Sequence, residues 1–149
     1  EATPLQVLRS YAALASGCTQ VPTPHLVTPQ PPKPLQLENP RTIEAVRDGL
    51  WRVAHVGGGT AADEKFHLRR FDVALKTGTA EVSVKHEILN HAWLAGFAPS
   101  RNPRIAFVAV VEQTTLHGAE AAAPIVAKLL EHFADMAPDV YRVKPEGSP

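Results

Sequence analysis

Residues 104–112 read RIAFVAVVE, an almost unbroken run of β-branched, aromatic and other apolar side chains. Such an apolar run is typical of a β-strand that is covered on both faces. Two shorter runs of the same character, 71–80 and 92–98, precede it along the chain. The sequence PSRNP at 99–103 has the turn-forming residues of a tight connection between antiparallel strands. We therefore predict a three-stranded antiparallel meander.

The first helix is predicted near the start of the chain. Thr3 and Gln6 have the spacing of a capping box, and Pro4 suits the first helical position. Gly17 then ends a run with helical periodicity. Residues 21–40 contain seven prolines, which forbid a helix and remove the donors that a central strand needs, so we predict an extended surface connection. A proline-rich motif that binds a partner is the alternative.

Two more helices frame the predicted strands. One is predicted because its apolar residues recur at three- and four-residue spacing. Its cap is Asn39 or Thr42, and it ends before the glycine run at 57–59. The other follows Gly118 and carries Pro124 in its first turn or at a kink. This order of elements predicts an α+β fold, without alternating β-α-β units.

The composition excludes several classes of protein. The 149 residues carry 15 basic and 15 acidic side chains, a net charge of +0, which is not the charge of a nucleic-acid binder or of a polybasic membrane-surface protein. No apolar run approaches the ~20 residues of a membrane span. The single cysteine, Cys18, rules out an internal disulfide. Glu1 is not methionine, so we expect the chain to be part of a longer protein.

Two patterns that suggest ligand sites fail on their spacing. The glycines at 57–59 are not followed by the Gly-Lys-Ser/Thr of a phosphate-binding loop, so a turn is the better interpretation. His86 and His91 are five residues apart, share no helical face and have no third ligand beside them. We therefore predict no metal site and no cofactor.

A motif with catalytic chemistry ends the first predicted strand. Residues 76–80 read KTGTA, and a lone Lys-Thr-Gly is a weak signal, but its context is specific. Downstream come HAW at 91–93, GFAP at 96–99 and HGAEAAAP at 117–124. In this order, residues 1–135 resemble the C-terminal half of the transpeptidase domain of class B penicillin-binding proteins, and most of all the penicillin-binding protein 2 branch.

The resemblance implies an incomplete penicillin-binding fold. Residues 1–137 would be the C-terminal part of the domain, including the connection 21–40, and residues 138–149 a flexible tail. The meander would belong to a larger five-stranded sheet, with the outer neighbour of strand 104–112 supplied by the N-terminal half of the domain. Such enzymes use Ser-x-x-Lys, Ser-x-Asn and Lys-Thr/Ser-Gly. Only the third motif is identified here, so this chain would not form an acyl-enzyme by itself.

The resemblance also implies roles for the motif. Lys76 would place positive charge near the substrate's terminal carboxylate, and Thr79 would offer that carboxylate its hydroxyl and supply an oxyanion-hole N–H. Thr77 would hydrogen-bond locally, Gly78 would permit close approach of the substrate, and Ala80 would line the substrate strand. Strict alternation puts Lys76 and Thr79 on opposite faces, so both reach one cleft only if the lysine curls along an edge strand.

His91 and Trp93 are weaker candidates. They would line the far side of the cleft, but packing inside the domain is an equally good explanation. The charged residues Glu81 and Glu87 are expected in a solvated loop after the motif. No pair of carboxylates is placed for acid–base catalysis.

The family implies a D-Ala-D-Ala transpeptidase that cross-links peptidoglycan stem peptides through an acyl-enzyme and is trapped by β-lactam antibiotics. It would act on the outer face of the bacterial cytoplasmic membrane, in the periplasm, held by an N-terminal anchor, with proteins of the cell-elongation machinery as partners. Two alternatives stay open: a β-lactam sensor or serine β-lactamase of the same superfamily, and a non-catalytic module for protein interaction.

Overall fold

The computed structural model describes residues 2–27, 31–35 and 39–142. Helices and strands alternate in five blocks, with two short 3-10 helices at Glu64–Phe66 and Leu68–Arg70 before the main sheet. The elements are α1 (Pro4–Ala15), β1 (Gln20–Val21), β2 (Lys33–Pro34), α2 (Pro40–His55), β3 (Ala74–Val84), β4 (Glu87–Ala98), β5 (Ile105–Thr114), α3 (Gly118–Met136) and α4 (Pro138–Tyr141).

The predicted antiparallel meander is confirmed, with strand order β3-β4-β5. Its first hairpin is longer than predicted, since β3 and β4 pair from Ala74↔Phe97 to Val84↔Glu87. Glu81 and Glu87 therefore lie in strands, and their expected place in a loop is wrong. The turn consists of Lys85 and His86, which both have positive φ (49° and 73°). That conformation is usually signalled by Asn-Gly or Asp-Gly, so the sequence gives no warning of the turn.

Both faces of the sheet are covered, as the sequence of β5 predicts. On one face, α3 packs its buried residues Val126 and Leu130 in one cluster with Leu75 and Leu94. On the other face, Leu50 of α2 packs with Ala74 and Phe97, and Tyr11 and Leu14 of α1 lie against them. The sheet is thus a central layer with α3 on one side and α1 on the other. Helix α2 lies beside β3 and contributes to both clusters, with Ala54 in the first and Leu50 in the second.

The predicted helix caps are present. Thr3 Oγ1 accepts from the Gln6 N–H at 3.3 Å while Gln6 Oε1 accepts from the Thr3 N–H at 2.8 Å, so the capping box is complete. The structure also decides between the two candidates for the second cap. Asn39 Oδ1 accepts from the Arg41 N–H at 3.1 Å, and α2 begins at the next residue.

Apart from Pro40, which begins α2, the proline-rich connection is not helical where the structure describes it. Its ends form a two-residue antiparallel ladder in which Gln20 pairs with Pro34, and the residues around it are mostly exposed. Arg9 of α1 donates to the Pro22 carbonyl at 2.8 Å and ties the start of the connection to the domain. Positions 28–30 and 36–38 of this prediction lie outside the described residues.

The end of the chain differs from the prediction of a flexible tail over 138–149. Residues 138–141 form α4, Tyr141 is buried, and its carbonyl accepts from the Asp72 N–H at 2.7 Å. Positions 143–149 lie outside the described residues. Helix α4 is four residues long, which is too short to give a clear periodic pattern, so the sequence alone does not predict it.

Two arginines join this end to the core through one carboxylate. Glu131 of α3 lies 2.6 Å from Arg142 Nη2 and 2.6 Å from Arg70 Nη2, and both guanidinium groups lie over the ring of Phe71. The hydrogen bond from Arg142, with the charge of Arg70, holds the pKa of Glu131 below its ordinary value. The contact is partly exposed, so its contribution to stability is modest.

Replacing Glu131 by glutamine is expected to lower the melting temperature by a few degrees at neutral pH. A carboxyl whose pKa falls on folding stabilises the protein above its ordinary pKa, and this stabilisation is lost as the pH drops through the folded value. The difference between the parent and Glu131→Gln should therefore be full above about pH 5 and shrink below it. Thermal unfolding from pH 3 to 8 measures this, with the exposed Glu44→Gln as control; a pH-independent difference would contradict it.

No helix in the described ranges is both long and apolar enough to cross a bilayer.

Candidate functional site

The Lys-Thr-Gly-Thr segment lies on β3, which forms one edge of the three-stranded sheet. Lys76 and Thr79 are exposed, and Thr77 and Gly78 are half-buried. Their partners on β4 are Ala95, Leu94, Trp93 and Ala92 in that order. On the described sheet the other side of this segment has no neighbouring strand, so an extended ligand has access to it.

The side chains of Lys76 and Thr79, at the two ends of the motif, leave the strand on opposite faces of the sheet, as strict alternation requires. Lys76 pairs with Ala95 on the face of α1, whereas Thr79 is directed toward α3 and accepts from the Gly118 N–H. The Lys76 side chain then folds along the edge, and its Nζ donates to the Thr77 carbonyl at 2.8 Å. The lysine therefore curls along its own strand, and its ammonium lies beside the middle of the motif.

The charge of Lys76 is not neutralised within the described part of the chain. No carboxylate oxygen of residues 2–27, 31–35 and 39–142 lies within 4.0 Å of its Nζ. Its contact with a carbonyl uses one of three donors. An exposed ammonium with free donors at an open strand edge is suited to bind an anion.

Thr77 is held by a residue that the sequence analysis did not identify. Its Oγ1 lies 2.7 Å from Oγ1 of Thr60, in the turn that follows α2 and includes the glycines at 57–59. The expectation that Thr77 hydrogen-bonds locally therefore needs adjustment, because its partner is 17 residues away in sequence. No local pattern marks such a tertiary contact.

The hydroxyl of Thr79 also has a remote partner. Its Oγ1 accepts from the backbone N–H of Gly118, the first residue of α3, at 3.1 Å. This hydrogen bond connects the Lys-Thr-Gly-Thr motif to the start of α3, which covers one face of the sheet. The sequence HGAEAAAP at 117–124, quoted for its resemblance, contains this glycine and was the one available signal for it.

Glycine at position 78 has a packing role that the sequence analysis did not predict. A Cβ on Gly78 would point at the face of the sheet, where it would lie 3.3 Å from Trp93 Cβ. It would not project from the strand edge, because side chains stand on the faces of a sheet. Gly78 therefore makes room for Trp93, and the expectation that its missing side chain permits close approach of a substrate stays a prediction.

The two weaker candidates have separate environments. Trp93 is half-buried beside Gly78, on the same face as Lys76. His91 is half-buried, and its Nδ1 accepts from the Gln113 N–H of β5 at 3.3 Å, at a register irregularity of the β4–β5 pair. The His91 ring thus leans away from β3, which favours the packing interpretation for this residue. Trp93 stays adjacent to the motif.

A match to the spacing of the second family motif, Ser-x-Asn, lies outside β3. Ser100 and Asn102 have the spacing of Ser-x-Asn, which the sequence analysis did not assign. They belong to the turn between β4 and β5, and the buried Ser100 hydroxyl donates to Asp72, just before β3. Asp72 is thereby paired with a serine and not with the neighbouring arginines. This serine is committed to a structural contact and does not supply the missing second motif.

A cavity of about 800 Å³ also lies apart from the motif. It lies between α2, the β4–β5 turn and α4, with both acidic and basic walls. Arg47 donates to the Ser100 carbonyl at 2.8 Å there, so part of its polar lining is already paired. Within the described ranges, no three His, Cys, Asp or Glu side chains come together as a metal site.

Comparison with known proteins identifies the family. The family model "Penicillin binding protein transpeptidase domain" matches residues 1–131. The chain belongs to this family. The match includes the whole sheet and most of α3, so it covers every residue of the Lys-Thr-Gly-Thr site. The resemblance predicted from KTGTA and its context is confirmed.

Individual relatives of the family agree with this result. The peptidoglycan D,D-transpeptidase MrdA of Salmonella typhimurium is 29% identical over 173 residues, which cover 99% of this chain and 27% of MrdA. The solved complex between penicillin-binding protein 2 and MreC from Helicobacter pylori superposes with a TM-score of 0.76 at 30% identity, over 92% of this chain and 25% of that one.

A further solved structure supports the penicillin-binding protein 2 branch. Pseudomonas aeruginosa PBP2, in complex with WCK 5153, has a TM-score of 0.68 at 30% identity and covers 89% of this chain and 30% of its own. The predicted α+β penicillin-binding fold is therefore confirmed. The chain spans about a quarter of the length of the relatives that it matches.

Proposed function

We propose that this chain is the C-terminal part of a peptidoglycan D,D-transpeptidase domain and that β3 binds the C-terminal end of the donor stem peptide. The observation that carries the proposal is the ammonium of Lys76, which has no carboxylate partner among the described residues and lies on an open strand edge, three residues from a threonine hydroxyl that faces the start of α3. A D-Ala-D-Ala peptide offers the matching groups: an extended backbone and a terminal carboxylate.

Binding would begin with the terminal carboxylate. Lys76 supplies the charge that attracts it, and the Thr79 hydroxyl donates one directed hydrogen bond to it. The peptide backbone then adds to the free edge of β3 as an antiparallel strand, so main-chain hydrogen bonds orient the scissile bond. Ala80 would border this strand with a side chain too small to obstruct it, and Trp93 packs against Gly78.

The chemical step would use a serine from the N-terminal half of the domain. Its oxygen attacks the carbonyl carbon of the penultimate D-alanine, the bond to the terminal D-alanine breaks, and that residue leaves as the free amino acid after protonation of its nitrogen. The Thr79 N–H would stabilise the oxyanion formed in between, a type of contact typically worth about 3 kcal/mol. The amine of a neighbouring stem peptide then takes the acyl group and releases the serine.

The setting follows from the same proposal. Peptidoglycan lies outside the cytoplasmic membrane, so the domain would work in the periplasm, with an N-terminal segment as its anchor. The Helicobacter pylori relative was solved with MreC, which supports proteins of the elongation machinery as partners. No cofactor is needed, because a serine, a lysine and backbone N–H groups supply the chemistry of acyl transfer.

Covalent labelling tests the proposal. The polypeptide that contains the complete domain is incubated with fluorescent penicillin and separated under denaturing conditions, with heat-unfolded protein as the control. We expect a stable labelled band whose intensity falls when a D-Ala-D-Ala peptide competes. Rapid loss of the label by hydrolysis would indicate a β-lactamase, and absence of labelling in a folded protein would favour the non-catalytic interaction module.

A further inference from the structure

The first residue of α3 touches the backbone of the motif. Gly118 is buried, and a Cβ built on it would lie 2.4 Å from the Gly78 carbonyl oxygen and 3.0 Å from that of Trp93. Both atoms belong to the main chains of paired strands, which do not move aside as a flexible side chain does. Only glycine therefore allows α3 to begin this close to β3.

The close approach brings one particular donor to the motif. The first N–H groups of a helix have no acceptor within the helix. The His117 N–H, just before α3, is taken by Glu120 Oε2 at 3.2 Å, whereas the Gly118 N–H is taken by Thr79 Oγ1 at 3.1 Å. A threonine 39 residues away thus caps the helix from another element.

This hydrogen bond determines whether the Thr79 hydroxyl donates or accepts a hydrogen bond toward a ligand. A hydroxyl has one proton to donate and two lone pairs to accept with. Because Thr79 Oγ1 accepts from Gly118, its own proton stays available for an acceptor on the open side of β3. Accepting from an N–H also polarises the O–H bond and strengthens it as a donor, and the positive end of α3 favours a nearby anion.

We propose that Gly118 is a positioning residue that orients the Thr79 hydroxyl as a donor to the carboxylate of the ligand. This inference rests on the proposed function, since it assigns a role within the same site. It extends that function to the helix: the absence of a side chain at position 118 is a requirement for carboxylate recognition and not only for packing.

Gly118→Ala in the complete domain tests this against Gly49→Ala. Gly49 is an exposed glycine of α2, and a Cβ on it would meet nothing within 4 Å. The measured quantity is the second-order rate of acylation by fluorescent penicillin. We expect Gly118→Ala to slow it about tenfold, the scale of a hydrogen bond to a charged group, and Gly49→Ala to leave it unchanged. An unchanged rate in Gly118→Ala overturns the inference.

Two readouts separate positioning from general distortion. In a Thr79→Val background, Gly118→Ala should slow acylation by less than about twofold, because the hydroxyl that it positions is gone. The methyl ester of the same penicillin, which lacks the carboxylate, should likewise lose less than about twofold on Gly118→Ala. Equal losses in both backgrounds, or with acid and ester alike, would show that Gly118 acts only through the fold and overturn the inference.

A second variant covers the case in which Gly118→Ala does not fold. Glycolic acid incorporated at position 118 replaces the N–H by an ester oxygen and adds no atom that touches Gly78. We expect it to reproduce the slower acylation and its dependence on Thr79, and a normal rate would overturn the inference. Labelling of the unsubstituted domain is read first: its absence refutes the proposed function, whereas normal labelling with a normal rate in both variants refutes this inference alone.

Discussion

Replacement of Lys76 by methionine is expected to slow acylation of the complete domain by penicillin about a hundredfold to a thousandfold, the range found when one preorganised electrostatic contact is removed from an active site. The ammonium has no carboxylate within 4.0 Å in the described part of the chain, so its charge is available to the ligand and to the developing negative charge. Methionine keeps an unbranched apolar side chain that is one atom shorter than that of lysine.

The matched control is Lys128→Met, an exposed lysine on α3 away from the motif. Both variants should unfold at the temperature of the parent, since Lys76 is exposed and its one described hydrogen bond is to the carbonyl of the next residue. The rates are measured by stopped-flow or by timed gel fluorescence. A loss below about threefold in Lys76→Met, or an equal loss in Lys128→Met, would refute the assignment of Lys76.

Gly96→Ala is expected to destabilise the domain by about 3 kcal/mol or more, at or beyond the upper end of the usual cost of overpacking. Gly96 is buried in the middle strand, and a Cβ on it would lie 2.4 Å from the Ala74 carbonyl oxygen, 2.7 Å from Leu75 Cβ and 2.9 Å from Leu75 Cα. Those atoms belong to β3, so the two strands would have to separate just where the motif begins.

Urea denaturation measures this effect, with Gly49→Ala again as the matched control. Alanine is the better helix former, so Gly49→Ala should be neutral or stabilising by up to about 1 kcal/mol. Gly96→Ala should move the midpoint to much lower urea or leave the protein insoluble. An unchanged midpoint would mean that β3 and β4 are not in the register described, because only that register places Leu75 against Gly96.

Much of the fold could be predicted from local patterns. The apolar run at 104–112 identified a strand covered on both faces, and Thr3 with Gln6 identified the start of α1, because both signals depend on neighbouring residues alone. The turn at Lys85 and His86 escaped, since neither residue is typical of positive φ. The fold of residues 138–142 was not predicted either, because Tyr141 is held by Asp72, which is far away in sequence, and Arg142 by Glu131, on the preceding helix.

The residues of the motif could be predicted from the sequence, but the residues that hydrogen-bond to them could not. The context of Lys76-Thr77-Gly78-Thr79 identified the motif, but Thr60 and Gly118, which hold the two threonines, became visible only when tertiary structure joined positions 17 and 39 residues apart. The contact of Gly78 with Trp93 was also absent from the sequence analysis. A strand pattern says that a side chain is missing; it does not say which neighbour takes the space.

The two margins of the sheet have unlike chemistry, and this has a consequence for inhibitors. β5 shows no charged side chain from Ile105 to Val111, whereas β3 carries a cation and hydroxyls along its margin. On the described sheet, a strand-mimicking compound without charge has only main-chain hydrogen bonds to form with either margin, so it gains no preference for β3. A compound that ends in an acid distinguishes them, so its anionic terminus, more than its hydrophobicity, would decide where it docks.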